Sequence, residues 1–194
     1  MKAVLASNNP GKLREFNEIL PGIGIEVISQ REAGLDLNVE ETGTTFAENS
    51  LLKAKAACEA SGMIAIADDS GIVVDALNGE PGVYSARYGT PDLDDEGRMY
   101  LLLHNMEGKK LRTARYVAAI TCCFPDGRVL QCEGAVEGEI GFEPKGTNGF
   151  GYDPIFVIPG TGRTFAEFSP EEKNAISHRG CGIAKLAELL KAEL

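Results

Sequence analysis

RTARYVAAITCCF (residues 112–124), PDG (125–127) and RVLQCEGAVEGEI (128–140) follow one another in the middle of the chain. Pro-Asp-Gly, between the first and third stretches, is a typical turn sequence. Together they predict a long β-hairpin, in which the two strands are antiparallel. The sheet of this protein should therefore contain antiparallel pairs.

Strands and helices alternate irregularly on both sides of this hairpin. The hydrophobic pattern predicts strands at 2–6, 25–29, 64–67, 72–77 and 151–158. It predicts helices at 10–20, 46–60, 92–106 and 178–193, and a short helix after Ser169. This order favours an α/β fold, a mixed β-sheet flanked by helices. The linkers are short, so we expect one domain over residues 1–194, with two lobes around a central cleft.

Composition limits the class of protein. The chain has 194 residues and a net charge of −10, with 19 basic and 29 acidic residues. A non-specific nucleic-acid binder needs a basic surface, so we expect no nucleic-acid partner. We also expect no membrane segment and no secretory signal. The five cysteines contain no CxxC pair, which favours reduced thiols and a cytoplasmic protein.

A polar motif, SNNPGK at residues 7–12, joins the first predicted strand to the first predicted helix. A helix that opens here would present backbone N–H groups and a positive dipole end, which suit a phosphate. Lys12 lies at the electrostatically unfavourable end of that helix, where an anionic ligand would stabilise it. The alternative is a capped helix with a surface lysine. The spacing is not that of a Walker A loop.

Two acidic pairs, Glu40-Glu41 and Asp68-Asp69, are candidates for binding a cation. Asp68-Asp69 follows a predicted apolar strand, and adjacent carboxylates repel one another unless a cation joins them. Oxygen ligands without His or Cys favour a hard ion such as Mg²⁺. The alternative interpretation is a solvated loop and a turn. Asn49 and Lys53 are four residues apart on the helix between the pairs and so share a face.

Further cations lie near the end of the chain. His178 and Arg179 open the last predicted helix, again at the end where positive charge is unfavourable, and Lys173 lies just upstream. The stretch GTNGFGYD (146–153) is rich in glycine but precedes a strand, so it is not a dinucleotide fingerprint. Its glycines would let a flat ligand approach the backbone, and Phe150 could stack on that ligand.

These stretches together resemble the inosine/xanthosine triphosphate pyrophosphatase family. The matching blocks run in order over nearly the whole chain: SNNPGK (7–12), EETGTTFAENSLLKA (40–54), ADDSGIVVDAL (67–77), PGVYSARY (81–88), GFGYDPIF (149–156) and EEKNAISHRG (171–180). The resemblance implies an elongated α/β fold, a homodimer, and Mg²⁺-dependent hydrolysis of ITP, dITP or XTP to the monophosphate and pyrophosphate.

The resemblance also implies roles for individual residues. Asp69 would be the general base, and Asp69 with Glu40 would hold Mg²⁺, although the choice between Glu40 and Glu41 stays open. The triphosphate would be held by Ser7, Asn8, Asn9, Pro10, Gly11, Lys12 and Lys53. The rest of the nucleotide, mostly its base, would be contacted by Ser70, Phe150, Gly151, Tyr152, Asp153, Lys173, His178 and Arg179.

The chemistry of the base suggests how such a site would select its substrate. Hypoxanthine and xanthine carry a 6-oxo acceptor where adenine carries an amino donor, so a buried donor such as Arg179 or His178 would favour the former. Two other functions would explain part of the pattern. One is a purine nucleotide sensor without catalysis, which would not need Asp69 beside Glu40. The other is a phosphatase for small monoesters, which would not need Phe150.

Overall fold

The computed structural model describes residues 1–193, and its centre is a six-stranded mixed β-sheet in the order β2-β1-β3-β4-β5-β6. This confirms the expected α/β fold. The strands are β1 Lys2–Leu5, β2 Glu26–Ser29, β3 Ile64–Val74, β4 Thr113–Cys123, β5 Val129–Ile140 and β6 Phe156–Val157. The helices are α1 Pro10–Ile19, α2 Phe46–Ser61, α3 Asp95–Asn105, α4 Pro170–Ile176 and α5 His178–Glu193.

The hairpin that decides the fold class is confirmed. Strands β4 and β5 are neighbours in the sheet. At the turn, the Phe124 N–H donates to the Arg128 carbonyl at 2.9 Å, and at the far end the Ile140 N–H donates to the Arg112 carbonyl at 2.8 Å. At the other side of the sheet, β1 pairs in parallel with β2 and with β3, which makes the sheet mixed.

Helix starts follow the capping signals in the sequence. The Thr45 side chain accepts from the Glu48 N–H at 3.1 Å while the Glu48 carboxylate accepts from the Thr45 N–H at 3.2 Å, which is a complete capping box. The same reciprocal bonds between Ser169 and Glu172 open α4. Both helices therefore begin where the sequence predicts.

The chain divides into two compact units. The first contains residues 1–69, 118–134 and the segment from His178 onward, and the second contains residues 70–117 and 135–177. The first unit has an apolar core on each face of its strands: α1 and α5 pack on one face, and α2 packs on the other. The core of the second unit is rich in aromatic side chains. Within residues 1–193, no helix combines the length and the apolar character that crossing a bilayer requires.

The separate strands predicted at 64–67 and 72–77 are wrong, because β3 runs without interruption from Ile64 to Val74. Asp68 and Asp69 therefore lie inside a strand, and they do not form a turn after it. Both side chains are largely buried. The sequence Asp-Asp-Ser-Gly interrupts the apolar pattern, which is typical of a turn between two strands. In the folded chain the strand continues, because cations from other elements compensate the two carboxylates.

The strand predicted at 151–158 is also mostly wrong. Only Phe156 and Val157 pair with β5, and Asp153–Ile155 forms a 3₁₀ turn. Pro154 has no N–H to donate to a sheet, and its fixed φ suits the turn. As a result Asp153 is turned into the interior, where it is 3% exposed.

Candidate active site

At the start of α1, backbone N–H groups donate hydrogen bonds to side chains of the protein itself. Asn9 is the N-cap, and its side-chain oxygen accepts from the Gly11 N–H at 2.8 Å and from the Lys12 N–H at 3.2 Å. The hydroxyl oxygen of Ser7 accepts from the Asn9 N–H at 3.1 Å. The Nζ atom of Lys12 lies 3.0 Å from Oδ1 of Asp68, so in this structure a buried carboxylate neutralises the lysine.

On the other face of β3, Lys53 of α2 lies between two carboxylates. Its Nζ donates to Oε1 of Glu41 at 2.7 Å and to Oδ1 of Asp69 at 3.2 Å. The side-chain amide of Asn49, one turn earlier on the same helix, donates to Oδ2 of Asp69 at 3.2 Å. Asn49 is fixed in turn, because its oxygen accepts from the Gly43 N–H at 2.8 Å. The shared helix face expected for Asn49 and Lys53 is therefore directed at Asp69.

These contacts set the protonation of the site. Burial raises the pKa of Asp69 and the charge of Glu41 raises it further, against the opposing effects of Lys53 and Asn49. Burial alone would lower the pKa of Lys53, but the carboxylates of Asp69, Glu41 and Asp68 outweigh it, and the pKa is raised. The site therefore holds a firmly protonated lysine beside a carboxylate of increased basicity.

Arg179, in the first turn of α5, is buried between two carboxylates. Its Nε donates to Oδ2 of Asp68 at 2.9 Å, and one of its terminal nitrogens donates to Oε2 of Glu15 at 3.0 Å. Burial would raise the pKa of Asp68, but Lys12 and Arg179 outweigh it and hold that pKa well below its usual range. His178, the preceding residue, is also buried.

The second unit contains its own polar cluster around Asp153. Its Oδ2 accepts from Nζ of Lys173 at 2.5 Å and from the Phe150 N–H at 3.0 Å. The Tyr116 hydroxyl donates to Oδ1 at 3.3 Å, and burial together with the Asp153 charge raises the pKa of Tyr116. The sequence predicts roles for Asp153 and Lys173, and the structure pairs them with each other.

The loop before Asp153 presents an aromatic ring. Phe150 is 58% exposed, and Nζ of Lys173 lies 5.1 Å from its ring centroid. Gly149 has a φ of +76°, and a Cβ there would come within 2.0 Å of Oδ2 of Asp153, so only glycine fits. Tyr152 is buried and donates through its hydroxyl to the Ser85 carbonyl at 2.7 Å.

The structure gathers many of the predicted residues into groups. In the first unit it brings Lys12, Asp68 and Arg179 together, and it brings Lys53 and Asp69 together. Glu40 is exposed, and the carboxylate that contacts Lys53 belongs to Glu41. Asn8 and Pro10 are exposed at the start of α1. The remaining predicted residues, Ser70, Phe150, Gly151, Tyr152, Asp153 and Lys173, belong to the second unit.

Sequence reasoning gave no role to two residues of this group, Asp68 as an individual residue and Glu15. The sequence pattern indicates Asp68 only as part of an acidic pair. Glu15 lies three residues after Lys12, on the same face of α1, and that spacing is the signal that could have indicated it.

The donor set suits a hard divalent cation that also binds substrate. Among residues 1–193 no three His, Cys, Asp or Glu side chains are gathered so as to hold a metal ion by themselves. Glu41 and Asp69 nevertheless supply carboxylates around a single ammonium group, which leaves negative charge in excess. Mg²⁺ is commonly bound by one or two carboxylates together with substrate phosphates and water. The residues therefore fit such an ion.

The chain matches known proteins over nearly its full length. The model of the Ham1 family matches residues 3–189. A dITP/XTP pyrophosphatase of Exiguobacterium sp. is 46% identical over 191 residues, which cover 98% of this chain and 97% of the relative. One from Thermus thermophilus is 48% identical over 193 residues, covering 98% and 92%.

The fold of the chain is also similar to solved structures of Ham1 proteins. The Ham1 protein of Staphylococcus aureus has a TM-score of 0.92 and 44% identity, with 100% of both chains covered. A HAM1 protein from Coxiella burnetii has a TM-score of 0.93 and 43% identity, with 99% of both chains covered.

Proposed function

The chain belongs to the Ham1 family, and we propose that it hydrolyses non-standard purine nucleoside triphosphates (ITP, dITP and XTP) to the monophosphate and pyrophosphate. The names of the curated relatives, dITP/XTP pyrophosphatases, support this substrate class. The observation that carries the proposal is the position of Lys53, whose ammonium contacts both Asp69 and Glu41. A fixed cation beside a basic carboxylate is what attack of water on a phosphoanhydride requires.

Lys12 and Lys53 bind the triphosphate in this proposal. Each is a compact point charge suited to phosphate oxygens, and each is paired with an aspartate of β3. An ammonium group has three N–H donors, so each lysine can contact a phosphate while its aspartate holds it in place. The segment from Ser7 to Gly11 contacts the same ligand in this proposal, and a phosphate that binds the Gly11 or Lys12 N–H would replace the side chain of Asn9.

Asp69 is the general base. It would accept a proton from the water that attacks the α-phosphorus, while pyrophosphate leaves with the bonding electron pair. Asn49 and Lys53 fix the orientation of its carboxylate through hydrogen bonds to its two oxygens. Loss of the proton acceptor should therefore stop hydrolysis without abolishing binding.

Mg²⁺ is the proposed cofactor, held by Asp69 and by one of the two neighbouring glutamates. The contact between Glu41 and Lys53 favours Glu41 over the exposed Glu40. When bound, the ion would neutralise charge on the phosphate oxygens and polarise the anhydride.

Base recognition is assigned to Arg179, His178, Lys173 and the segment from Phe150 to Asp153. The 6-oxo group of hypoxanthine or xanthine accepts a hydrogen bond, whereas the 6-amino group of adenine leaves a buried donor unpaired. The exposed ring of Phe150 offers a surface for stacking. We expect roughly 10⁴-fold preference for ITP over ATP in kcat/KM from a site of this kind.

We further propose a homodimer in the cytoplasm. The dimer rests on the family resemblance, and the five cysteines, which are all free, support a reducing compartment.

Incubation with ITP and Mg²⁺, followed by identification of the products, tests the proposal. We expect IMP and pyrophosphate, and no turnover when EDTA removes the metal. Release of orthophosphate would indicate a phosphatase. Tight binding of ITP without turnover would indicate the alternative, a purine nucleotide sensor without catalysis.

A further inference from the structure

Asp68 joins two cations that come from different helices. Its carboxylate has no exposed surface: one oxygen lies 3.0 Å from Nζ of Lys12 in α1, and the other accepts from Nε of Arg179 in α5 at 2.9 Å. The contact with Arg179 is a charge-assisted hydrogen bond, which is strong and directional in a buried setting, and the contact with Lys12 is an ion pair. The position of either cation therefore depends on where the other holds the carboxylate.

Glu15 restrains the same arginine from a second direction. It lies on α1, three residues after Lys12, and accepts from a terminal nitrogen of Arg179 at 3.0 Å. The Arg179 side chain is 5% exposed, and the planar guanidinium makes bonds of fixed direction to both carboxylates. Asp68 and Glu15 thus form a clamp that fixes Arg179 relative to the helix that carries Lys12.

From this arrangement we infer that Asp68 is a positioning residue that couples the base-contacting Arg179 to the phosphate-binding Lys12. The inference rests on the roles proposed above for these two cations. A base that pairs correctly leaves Arg179 in place, so Asp68 holds Lys12 where the phosphates need it. A base that displaces Arg179 also displaces Lys12. Discrimination between substrates with different bases then appears in kcat as well as in KM.

The coupling can be measured with a ligand that has no base. Inorganic tripolyphosphate should bind to the lysines, and its Kd can be obtained by titration calorimetry without catalysis. We expect Arg179→Lys, which keeps the charge, to weaken tripolyphosphate binding by roughly 3- to 10-fold. Glu15→Gln should weaken it in the same direction. The matched controls Arg14→Lys and Glu59→Gln, at exposed positions, should leave Kd unchanged.

The Asp68→Asn background separates coupling from direct contact. If Asp68 transmits the effect, Arg179→Lys causes no further loss of affinity in Asp68→Asn. An equal loss in both backgrounds would mean that Arg179 touches the phosphates itself, and it would overturn the inference. So would an unchanged Kd in Arg179→Lys and Glu15→Gln. Thermal unfolding shows whether each variant is folded. If Asp68→Asn does not fold, Glu15→Gln still tests the inference.

Kinetics with ITP and ATP provide the second readout. A purely structural role for Asp68 would lower the amount of active protein and reduce both rates equally. Positioning predicts that the ratio of kcat/KM for ITP over ATP falls at least roughly 10-fold in Glu15→Gln. If the parent protein binds no tripolyphosphate, the proposed function fails. If it binds and the variants behave as the controls, only the coupling fails.

Discussion

Asp68 and Asp69 are neighbours in strand β3, yet their carboxylates lie on opposite faces of the sheet. Asp68 contacts Lys12 of α1 and Arg179 of α5, whereas Asp69 contacts Lys53 and Asn49 of α2. Side chains alternate along a strand, so adjacent aspartates serve two separate groups of cations. The two groups are close enough for the Asp68 charge to contribute to the raised pKa of Lys53.

Replacement of the proposed base is the first prediction. Asp69→Asn keeps the shape of the side chain but removes the proton acceptor, so we expect turnover of ITP to fall roughly a thousandfold while ITP binding is largely kept. Steady-state kinetics and calorimetry with ITP measure the two effects. Turnover within about tenfold of the parent would remove Asp69 from the role of base.

Removal of a phosphate-binding charge should act mainly on affinity. Lys53→Met retains the aliphatic stem but loses contacts with Glu41 and Asp69, and in the proposed complex it loses a phosphate contact. We expect a loss of about 2 kcal/mol in kcat/KM, roughly 30-fold, with a rise in KM. Lys55→Met, on the exposed side of the same helix, is the control. Equal kinetics of the two variants would contradict the assignment of Lys53.

Asp153 should be important for the stability of the second unit. Asp153→Ala removes the buried carboxylate that accepts from the Lys173 ammonium and from the Tyr116 hydroxyl. Breaking a buried ion pair from one side costs about 3 kcal/mol of unfolding free energy, which urea denaturation would detect. Asp36→Ala, in an exposed loop, should change stability little. If both variants unfold at the same urea concentration, the cluster contributes no net stability.

The approach of α5 to the sheet depends on a glycine. A Cβ at Gly134 of β5 would lie 2.0 Å from the His178 carbonyl oxygen and 2.4 Å from the Gly182 nitrogen. Gly134→Ala must therefore push the start of α5 away, at a cost of about 2 kcal/mol of stability. It should also raise KM for ITP, because Arg179 moves with the helix. At Gly22 no described atom lies within 4 Å of an added Cβ, so Gly22→Ala should have neither effect.

Local signals explain what the sequence predicts well. The capping boxes at Thr45 and Ser169 and the turn at 125–127 depend on residues a few positions apart, and all three are found as expected. The strand predicted at 151–158 is interrupted locally, at Pro154, whereas the error at β3 has a non-local origin. β3 continues through Asp68 and Asp69 only because Lys12, Lys53 and Arg179 compensate them, and these partners are far away in the chain.

The same limit applies to the candidate site. Cations at helix starts and acidic pairs predict sites for an anion and a metal. They do not indicate which carboxylate meets which cation. Arg179 and Asp68 are 111 residues apart, and Arg179 and Glu15 are 164 apart, so only the folded structure connects them.

In the proposed reaction, water attacks the α-phosphorus of a purine nucleoside triphosphate. Hydrolysis of ITP with Mg²⁺ in water enriched in oxygen-18, followed by mass spectrometry of both products, tests it most directly. Attack at the α-phosphorus places the heavy oxygen in IMP and leaves pyrophosphate unlabelled. Label in the pyrophosphate, or in released orthophosphate, would contradict it.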